Sequence, residues 1–283
     1  MDYFVCTHNT PFYHWQLELL LESFKHHNLS ENLVISLLPA AQQPMAAFCR
    51  SLYAHPRLVS TADIGRIRGF GPLNYLYAIS IALEKGTLKQ PFMLVQPDSV
   101  LFVPPEVSDT KRTKIVVQGD LTFTHEAAKE NIPNLQEYFS GKWPAVGNIM
   151  YFDNVPLELF GRVMSLTEML AYEQLKAGKD EIWPYTDRAA WSIILSKMVS
   201  GANIEISYTW EMPMVASGVR HNFISYGRGV PAHFVKSMFM FNPISFGDPF
   251  EVLAKLPAVY RTEASGYISD LATKCLEKRT VHN

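Results

Sequence analysis

Apolar residues along this chain fall into two patterns. Short unbroken runs predict strands: Tyr3–Cys6, Leu33–Leu38, Arg57–Thr61, Phe92–Val95, Lys114–Gln118, Val146–Phe152 and Ile204–Tyr208. Between them lie stretches spaced by about three and four, which predict amphipathic helices. The first helix starts at Phe12, with Trp15, Leu19, Glu22 and His26 on one side and Leu17, Leu20, Leu21 and Phe24 completing a broad apolar face. Further helices are predicted at Ala46–Tyr53, at Leu73–Lys85 with Gly86 as its stop, and from Val155 to about Lys176 with Gly178 as its stop. Another starts at Thr186 as N-cap and buries Trp191, Ile194 and Leu195. The segment from His125 to Lys142 reads as a surface loop. Strand and helix alternate without an internal repeat or a linker, so the expectation is one α/β domain over 1–283.

The run Phe92–Val95 shows no polar alternation and reads as a strand buried on both faces. Pro97 must end or kink it, because proline offers no backbone donor. Asp98 is then left at the carboxyl end of a buried strand, where open α/β sheets bind ligands. A carboxylate there can ligate a hard divalent cation that holds a diphosphate, or it can merely cap the following turn.

Three other places carry candidate chemistry. The first strand runs into Thr7-His8-Asn9-Thr10-Pro11, a polar loop at the same kind of sheet edge. Asp63 to Pro72 holds three glycines with Arg66 and Arg68, a flexible cationic loop without the Gly-Lys-Ser/Thr ending of a phosphate loop. Its arginines suit a diphosphate or plain solvent. Asp187 falls in the first turn of a helix beside Trp183, Tyr185 and Trp191, where it either compensates the helix dipole or faces a ligand. His233, in Pro231–Val235, is a lone histidine in an apolar run.

Composition narrows the class. A chain of 283 residues, 48% hydrophobic and 18% charged, has ample material for a core. No apolar run is long enough to cross a bilayer, and no basic secretory start precedes Tyr3. Cys6, Cys49 and Cys275 fit neither a zinc pattern nor a disulfide framework, which points to a reducing, cytoplasmic setting. A formal net charge of -2 argues against a general nucleic-acid coat but allows a local basic face at Lys111, Arg112 and Lys114.

Taken in order, these segments resemble a GT-A nucleotide-sugar glycosyltransferase, and within that class the group that glycosylates hydroxyproline or serine in peptides. Pro11-Phe12-Tyr13-His14-Trp15-Gln16 is similar to that group's aromatic Trp-Gln opening of the first helix. Val95-Gln96-Pro97-Asp98 resembles its Asp-x-Asp metal motif, with Gln96 in place of the first aspartate. Trp183 to Trp191 resembles its Trp-x-x-Glu-Met helix start, with Asp187 at the acidic position, and His233-Phe234 resembles its late His-Tyr pair.

The resemblance implies a Rossmann-like mixed sheet with helices on both faces. It also implies a nucleotide-sugar-binding half at 1–103 and an acceptor-shaping half at 104–283. It implies a donor, a UDP-sugar by expectation, held by Thr7, His8, Arg66, Arg68, Asn74 and Gln96. A Mn²⁺ or Mg²⁺ ion would sit on Asp98 and His233, imidazole favouring Mn²⁺. Asp187 would serve as a catalytic carboxylate in a retaining transfer. The acceptor is a hydroxyl, either on a peptide hydroxyproline or serine or on a modified pyrimidine in viral DNA, flipped or single-stranded. The latter would place the protein in a host cytoplasm; with either acceptor the expectation is a monomer or small homo-oligomer with no membrane partner. The neutral Gln96 also admits a degenerate nucleotide-sugar-binding or scaffold protein.

Overall fold

The computed structural model describes residues 1–38, 55–65, 70–101, 113–118, 125–138, 146–147, 149–198, 204–209, 214–218, 221–225, 248–255 and 263–280. Ten strands lie among these residues: β1 (Asp2–His8), β2 (Leu33–Leu38), β3 (Leu58–Ser60), β4 (Phe92–Leu94), β5 (Ser99–Leu101), β6 (Thr113–Gln118), β7 (Met150–Asp153), β8 (Ile204–Thr209), β9 (Met214–Gly218) and β10 (His221–Ser225). The helices are α1 (Pro11–His26), α2 (Leu73–Glu84), α3 (His125–Asn131), α4 (Glu158–Lys176), α5 (Thr186–Met198), α6 (Pro249–Leu253) and α7 (Glu263–Thr280). Seven strands form a mixed sheet in the order β3-β2-β1-β4-β7-β6-β8, and three form a second sheet in the order β10-β9-β5. This is the α/β fold that the alternating pattern predicts, with the Rossmann-like mixed sheet that the resemblance implies.

The chain divides into two compact units interleaved along the sequence. One comprises Met1–Cys6, Thr61–Val95 and Ser108–Trp210; the other comprises Thr7–Ser60, Gln96–Val107 and Glu211–Asn283.

In the first unit β1 and β4 run parallel, Asp2 beside Phe92 and Phe4 beside Leu94. The pairing continues one step further, where the Val95 amide donates to the Phe4 carbonyl at 2.9 Å. β7 pairs antiparallel with both β4 and β6, and β6 runs parallel to β8. Residues without polar alternation are buried on both faces of such a sheet, and Phe4, Val5, Phe92, Ile115, Val117 and Phe152 are indeed buried. Phe92 and Phe152 stack at 5.1 Å. Phe160 from α4 and Trp191 from α5 close on Phe152 at 5.2 and 5.4 Å, which seats these helices on that face. Gly86 and Gly178, just past α2 and α4, take φ of +67° and +79°, so each helix ends where only a residue without Cβ turns at little cost.

In the second unit β2 and β3 are parallel, Ile35 beside Leu58. α1 has proline in its first turn, where the missing donor costs nothing. Its Trp15 and Leu19 pack with Val100, Phe250, Leu253, Ile268, Leu271 and Ala272 in one apolar cluster. Truncating a side chain such as the fully buried Trp15 costs roughly 3–5 kcal/mol. Among the described residues β5 is the outer strand of the small sheet, antiparallel to β9 with Leu101 beside Met214. The Leu101 amide donates to Ser23 Oγ at 2.9 Å, and the Tyr267 hydroxyl donates to the Leu101 carbonyl at 2.6 Å. Ser23 in turn donates to the Leu20 carbonyl. α7 is tied to α1 through Arg279, which donates to Glu18 at 2.9 Å and to Asp248 at 2.6 Å, and through Lys278 to Glu22. The Arg279 guanidinium also lies 4.4 Å from the centroid of the Phe250 ring.

Most predicted boundaries fall within a residue or two, as helix and strand ends do. Three differ. Residues 125–131 are helical rather than loop, because Ala128 and Ile132 find a buried face that polar neighbours conceal in the sequence. The strand expected from Val146 runs at Met150–Asp153, and the helix expected from Val155 starts at Glu158, beyond Pro156. The helix expected at Ala46–Tyr53 lies outside the described residues, as does the run Pro231–Val235. Among the described residues no helix is long and apolar enough to cross a membrane.

Candidate active site

β2 and β3 lie on one side of β1 and β4 on the other, so the strand order reverses between β1 and β4. At such a switch point the connections leave in opposite directions, and a crevice opens beyond the carboxyl ends of the two strands. The side chains that this topology presents there are Thr7 and His8 from β1 and the Gln96-Pro97-Asp98 turn after β4. The parallel register offsets the two strands by ninety positions from Asp2 beside Phe92 to Phe4 beside Leu94, and the Val95 amide on the Phe4 carbonyl brings the pairing to the start of the turn.

Within the second unit these groups gather with α1. Thr7 is buried and His8 half-buried. The His8 and Tyr13 rings are 6.4 Å apart and tilted by 31°. Burial first, and then the negative charge of Asp98, push the Tyr13 hydroxyl above its ordinary range, so Tyr13 and the carboxylate belong to one electrostatic neighbourhood. The turn itself is fixed by the Ser99 amide donating to the Gln96 carbonyl at 3.1 Å. One residue beyond Tyr13, His14 bonds through Nε2 to Asn9 Oδ1 at 2.7 Å. Asn9 is held by its own amide on the Leu38 carbonyl at 3.1 Å, so the loop that leaves β1 is braced from two directions.

The fit of a divalent cation here rests on donor chemistry. Asp98 supplies a half-buried carboxylate at the strand end, and the Gln96 amide oxygen is a second hard donor; both suit Mg²⁺ or Mn²⁺. Among the described residues there is no group of three or more His, Cys, Asp or Glu that could hold a metal. His233 lies outside the described residues, as do Arg66 and Arg68.

In the first unit Asn74 is buried with both ends of its amide engaged. Oδ1 accepts from the Gly65 amide at 2.7 Å, and Nδ2 donates to Asp63 Oδ1 at 2.8 Å. The Phe70 amide donates to the Gly65 carbonyl at 2.8 Å. A Cβ on Gly65 would stand 2.7 Å from Asn74 Nδ2 and 2.8 Å from both Gly71 Cα and the Phe70 carbonyl, so glycine is required by space. Asn74 thus ties the start of α2 to Asp63 and Gly65.

Asp187 lies in the first turn of α5, in the same unit. Its Oδ2 accepts from the Tyr75 hydroxyl at 2.9 Å, and that hydroxyl accepts from Trp191 Nε1 at 2.9 Å. Burial raises the Asp187 carboxyl above the usual range, against the opposing pull of Arg188, the Tyr75 bond and helix amides. Burial and the Asp187 charge also drive the Tyr75 phenol well up, so it stays protonated and donates. Arg188 stacks over Tyr185 at 4.5 Å. Gln174 on α4 sets the helix start, accepting from the Trp183 amide at 2.8 Å and donating to Thr186 Oγ1 at 2.9 Å. Thr186, expected as a forward cap, is instead the first helical residue, and its hydroxyl turns back to the Trp183 carbonyl at 2.6 Å.

Tyr13, His14, Tyr75 and Gln174 were not among the residues the sequence singled out. Tyr13 and His14 fall inside the aromatic segment 11–16, a signal that was available. Tyr75 stands 112 positions from Asp187, and nothing in the sequence pairs them.

The fold and its switch-point edge define an α/β protein with a Rossmann-like mixed sheet. No family model matches the sequence, and no curated protein matches it. Solved structures do resemble it. The chain is similar to a glycosyltransferase involved in the glycosylation of the major capsid of PBCV-1, at 11% identity and a TM-score of 0.41, over 75% of this chain and 84% of that one. It is also similar to the galactosyltransferase LgtC, crystallised with donor and acceptor sugar analogs, at 11% identity and a TM-score of 0.46, over 97% of this chain and 96% of that one. These likenesses are loose and leave the chemistry to the chain's own residues.

Proposed function

We propose that this chain is a GT-A glycosyltransferase that moves a sugar from a nucleotide-sugar, a UDP-sugar by preference, to a hydroxyl acceptor. The observation that carries the reading is the carboxylate of Asp98 in the turn just past β4, in one electrostatic neighbourhood with Tyr13, whose ring lies 6.4 Å from that of His8 at the end of the neighbouring strand. Thr7 and His8 lie against the nucleotide. Asp98 and His233 would hold the ion, and Gln96 would offer a neutral oxygen. Arg66 and Arg68 approach the phosphates from the segment that follows Gly65; with its amide engaged at both ends, Asn74 serves the donor through Gly65. Asp187 orients sugar hydroxyls or steadies the oxocarbenium-like centre. A bound Mn²⁺ or Mg²⁺ would neutralise charge on the departing diphosphate. The departing phosphate oxygen takes the acceptor proton, so a retaining transfer needs no protein nucleophile. Residues 1–103 carry the donor side and 104–283 shape the acceptor side.

The test is release of nucleoside diphosphate from a panel of UDP- and GDP-sugars, hexoses and pentoses alike, with Mn²⁺ or with chelator. Metal-dependent release from one donor supports the reading and names the sugar. Silence across the panel, with no thermal shift, turns the reading toward a nucleotide-sugar-binding or scaffold protein and makes Gln96 the reason.

Two acceptor classes follow from the sequence, a hydroxyproline or serine peptide and a hydroxylated pyrimidine in DNA. Of the basic cluster, Lys114 is described and sits 3.4 Å from Glu205, so part of its charge is compensated. DNA as acceptor requires salt-sensitive binding that is lost when Lys111, Arg112 and Lys114 are reversed; a flat response leaves the peptide.

A further inference from the structure

Resting on that reading, we infer that Tyr75 is a positioning residue whose hydroxyl, anchored by Trp191, fixes the orientation of the Asp187 carboxylate for the sugar. A carboxylate at a helix start ordinarily swings about its last torsion, which has a broad profile. Here one oxygen is taken. The Tyr75 hydroxyl has a single hydrogen, and it points at Asp187 Oδ2, because the oxygen end is occupied by the indole N–H of Trp191. Accepting one bond strengthens the bond a hydroxyl donates, so the two links support each other.

The anchor is rigid. Trp191 is 1% exposed, and its ring is pinned by Phe152 and Phe160 at 5.4 and 5.9 Å. It also lies four residues after Asp187, on the same side of α5, so backbone and side chain fix the carboxylate from one element. Tyr75 comes from α2, directly after Asn74. The helix whose Asn74 is tied to Asp63 and Gly65 therefore also holds Asp187. Dipole compensation at a helix start needs a charge but no tyrosine; the Trp191–Tyr75 link satisfies two buried polar groups and at the same time directs the phenol hydrogen at Asp187.

Tyr75→Phe keeps the ring and removes the hydroxyl. Expected is a fall in kcat for donor consumption of about tenfold, with KM little changed, the signature of an interaction that matters in the transition state. Asp187→Asn lowers kcat further, and adding Tyr75→Phe to Asp187→Asn costs nothing more, because Tyr75 acts only through that carboxylate. A melting temperature within roughly 5 °C of wild type keeps Tyr75→Phe in the comparison. If it melts lower, Trp191→Phe, which releases the phenol and keeps an aromatic ring in the stack, replaces it with the same expected loss. Wild-type kcat in the variant, or a loss that multiplies with that of Asp187→Asn, overturns the positioning role and leaves the transferase reading standing. A wild-type protein that consumes no donor of the panel overturns that reading and this one with it.

Discussion

His14 donates from Nε2 to Oδ1 of Asn9 over 2.7 Å, from an imidazole only 1% exposed. The direction follows from Asn9 Oδ1, which can only accept. Burial pushes the His14 pKa down to about 4, from an ordinary 6.5, so the ring is neutral in the folded protein at pH 7. A group whose folded value lies below its unfolded one contributes stability that is complete above the unfolded value and is lost as pH falls toward the folded one. The free energy of unfolding, measured by denaturant titration, should therefore drop between about pH 6.5 and pH 4, by an amount on the order of 3 kcal/mol at the acid end. His55 is lowered by burial as well, with Nε2 on the Leu33 carbonyl, and acts in the same direction. His14→Gln should flatten the slope in part; an unchanged profile would exclude His14 as its source.

The hydrogen bonds of Asn74 predict an asymmetry between two neighbouring substitutions. Asn74→Ala leaves the Gly65 amide without its acceptor and should cost about 2 kcal/mol in denaturant unfolding. Gly65→Ala forces a Cβ against backbone on two sides and should cost roughly 1–3 kcal/mol. Because Asn74 is one of the atoms a Gly65 side chain would strike, the double variant should lose less than the sum.

Asp98→Asn should reduce donor turnover by at least about a hundredfold, the scale of losing a group that stabilises transition-state charge. Its melting temperature should stay near that of wild type, since the carboxylate sits in a turn held by backbone bonds. His233→Ala should act alike. Near-normal turnover in either variant, measured as diphosphate release with Mn²⁺ present, would remove the metal site.

Arg279→Met should destabilise the second unit by about 2 kcal/mol, since it strips Glu18 and Asp248 of a shared partner and keeps the contact with Phe250. Burial already raises the Glu18 carboxyl, and Arg279 opposes that rise. Without the guanidinium the value climbs further. The penalty should then be greatest near neutral pH and shrink as pH falls through the carboxylate range and Glu18 takes up a proton. A penalty independent of pH would assign the loss to packing alone.

Much of the sheet was legible because buried strands announce themselves as unbroken apolar runs. Leu33–Leu38 is one such run, and its bounds in the fold are those of the pattern. Asp98 was legible for the same reason: Pro97 marks where the run stops. The 125–131 helix was not, since its buried side amounts to little more than Ala128 and Ile132 among polar residues. Contacts made across long separations escaped as well. Tyr75 reads as one more aromatic on an apolar helix until Asp187 is brought beside it, and a hydrogen bond between two such residues leaves no periodic trace.

The bonds that close over Leu101 bear on how this protein meets other chains. In a strand the N–H and C=O of one residue point to the same side, and at an outer strand that side is a template for adding another. Ser23 and Tyr267 occupy both groups of Leu101, from α1 and α7 respectively. An extended peptide therefore meets side-chain oxygens where it would need backbone, and self-association by strand addition is blocked at this position. Ser23→Ala together with Tyr267→Phe would leave the buried N–H and C=O of Leu101 without these partners, at a cost of about 1–3 kcal/mol for each group.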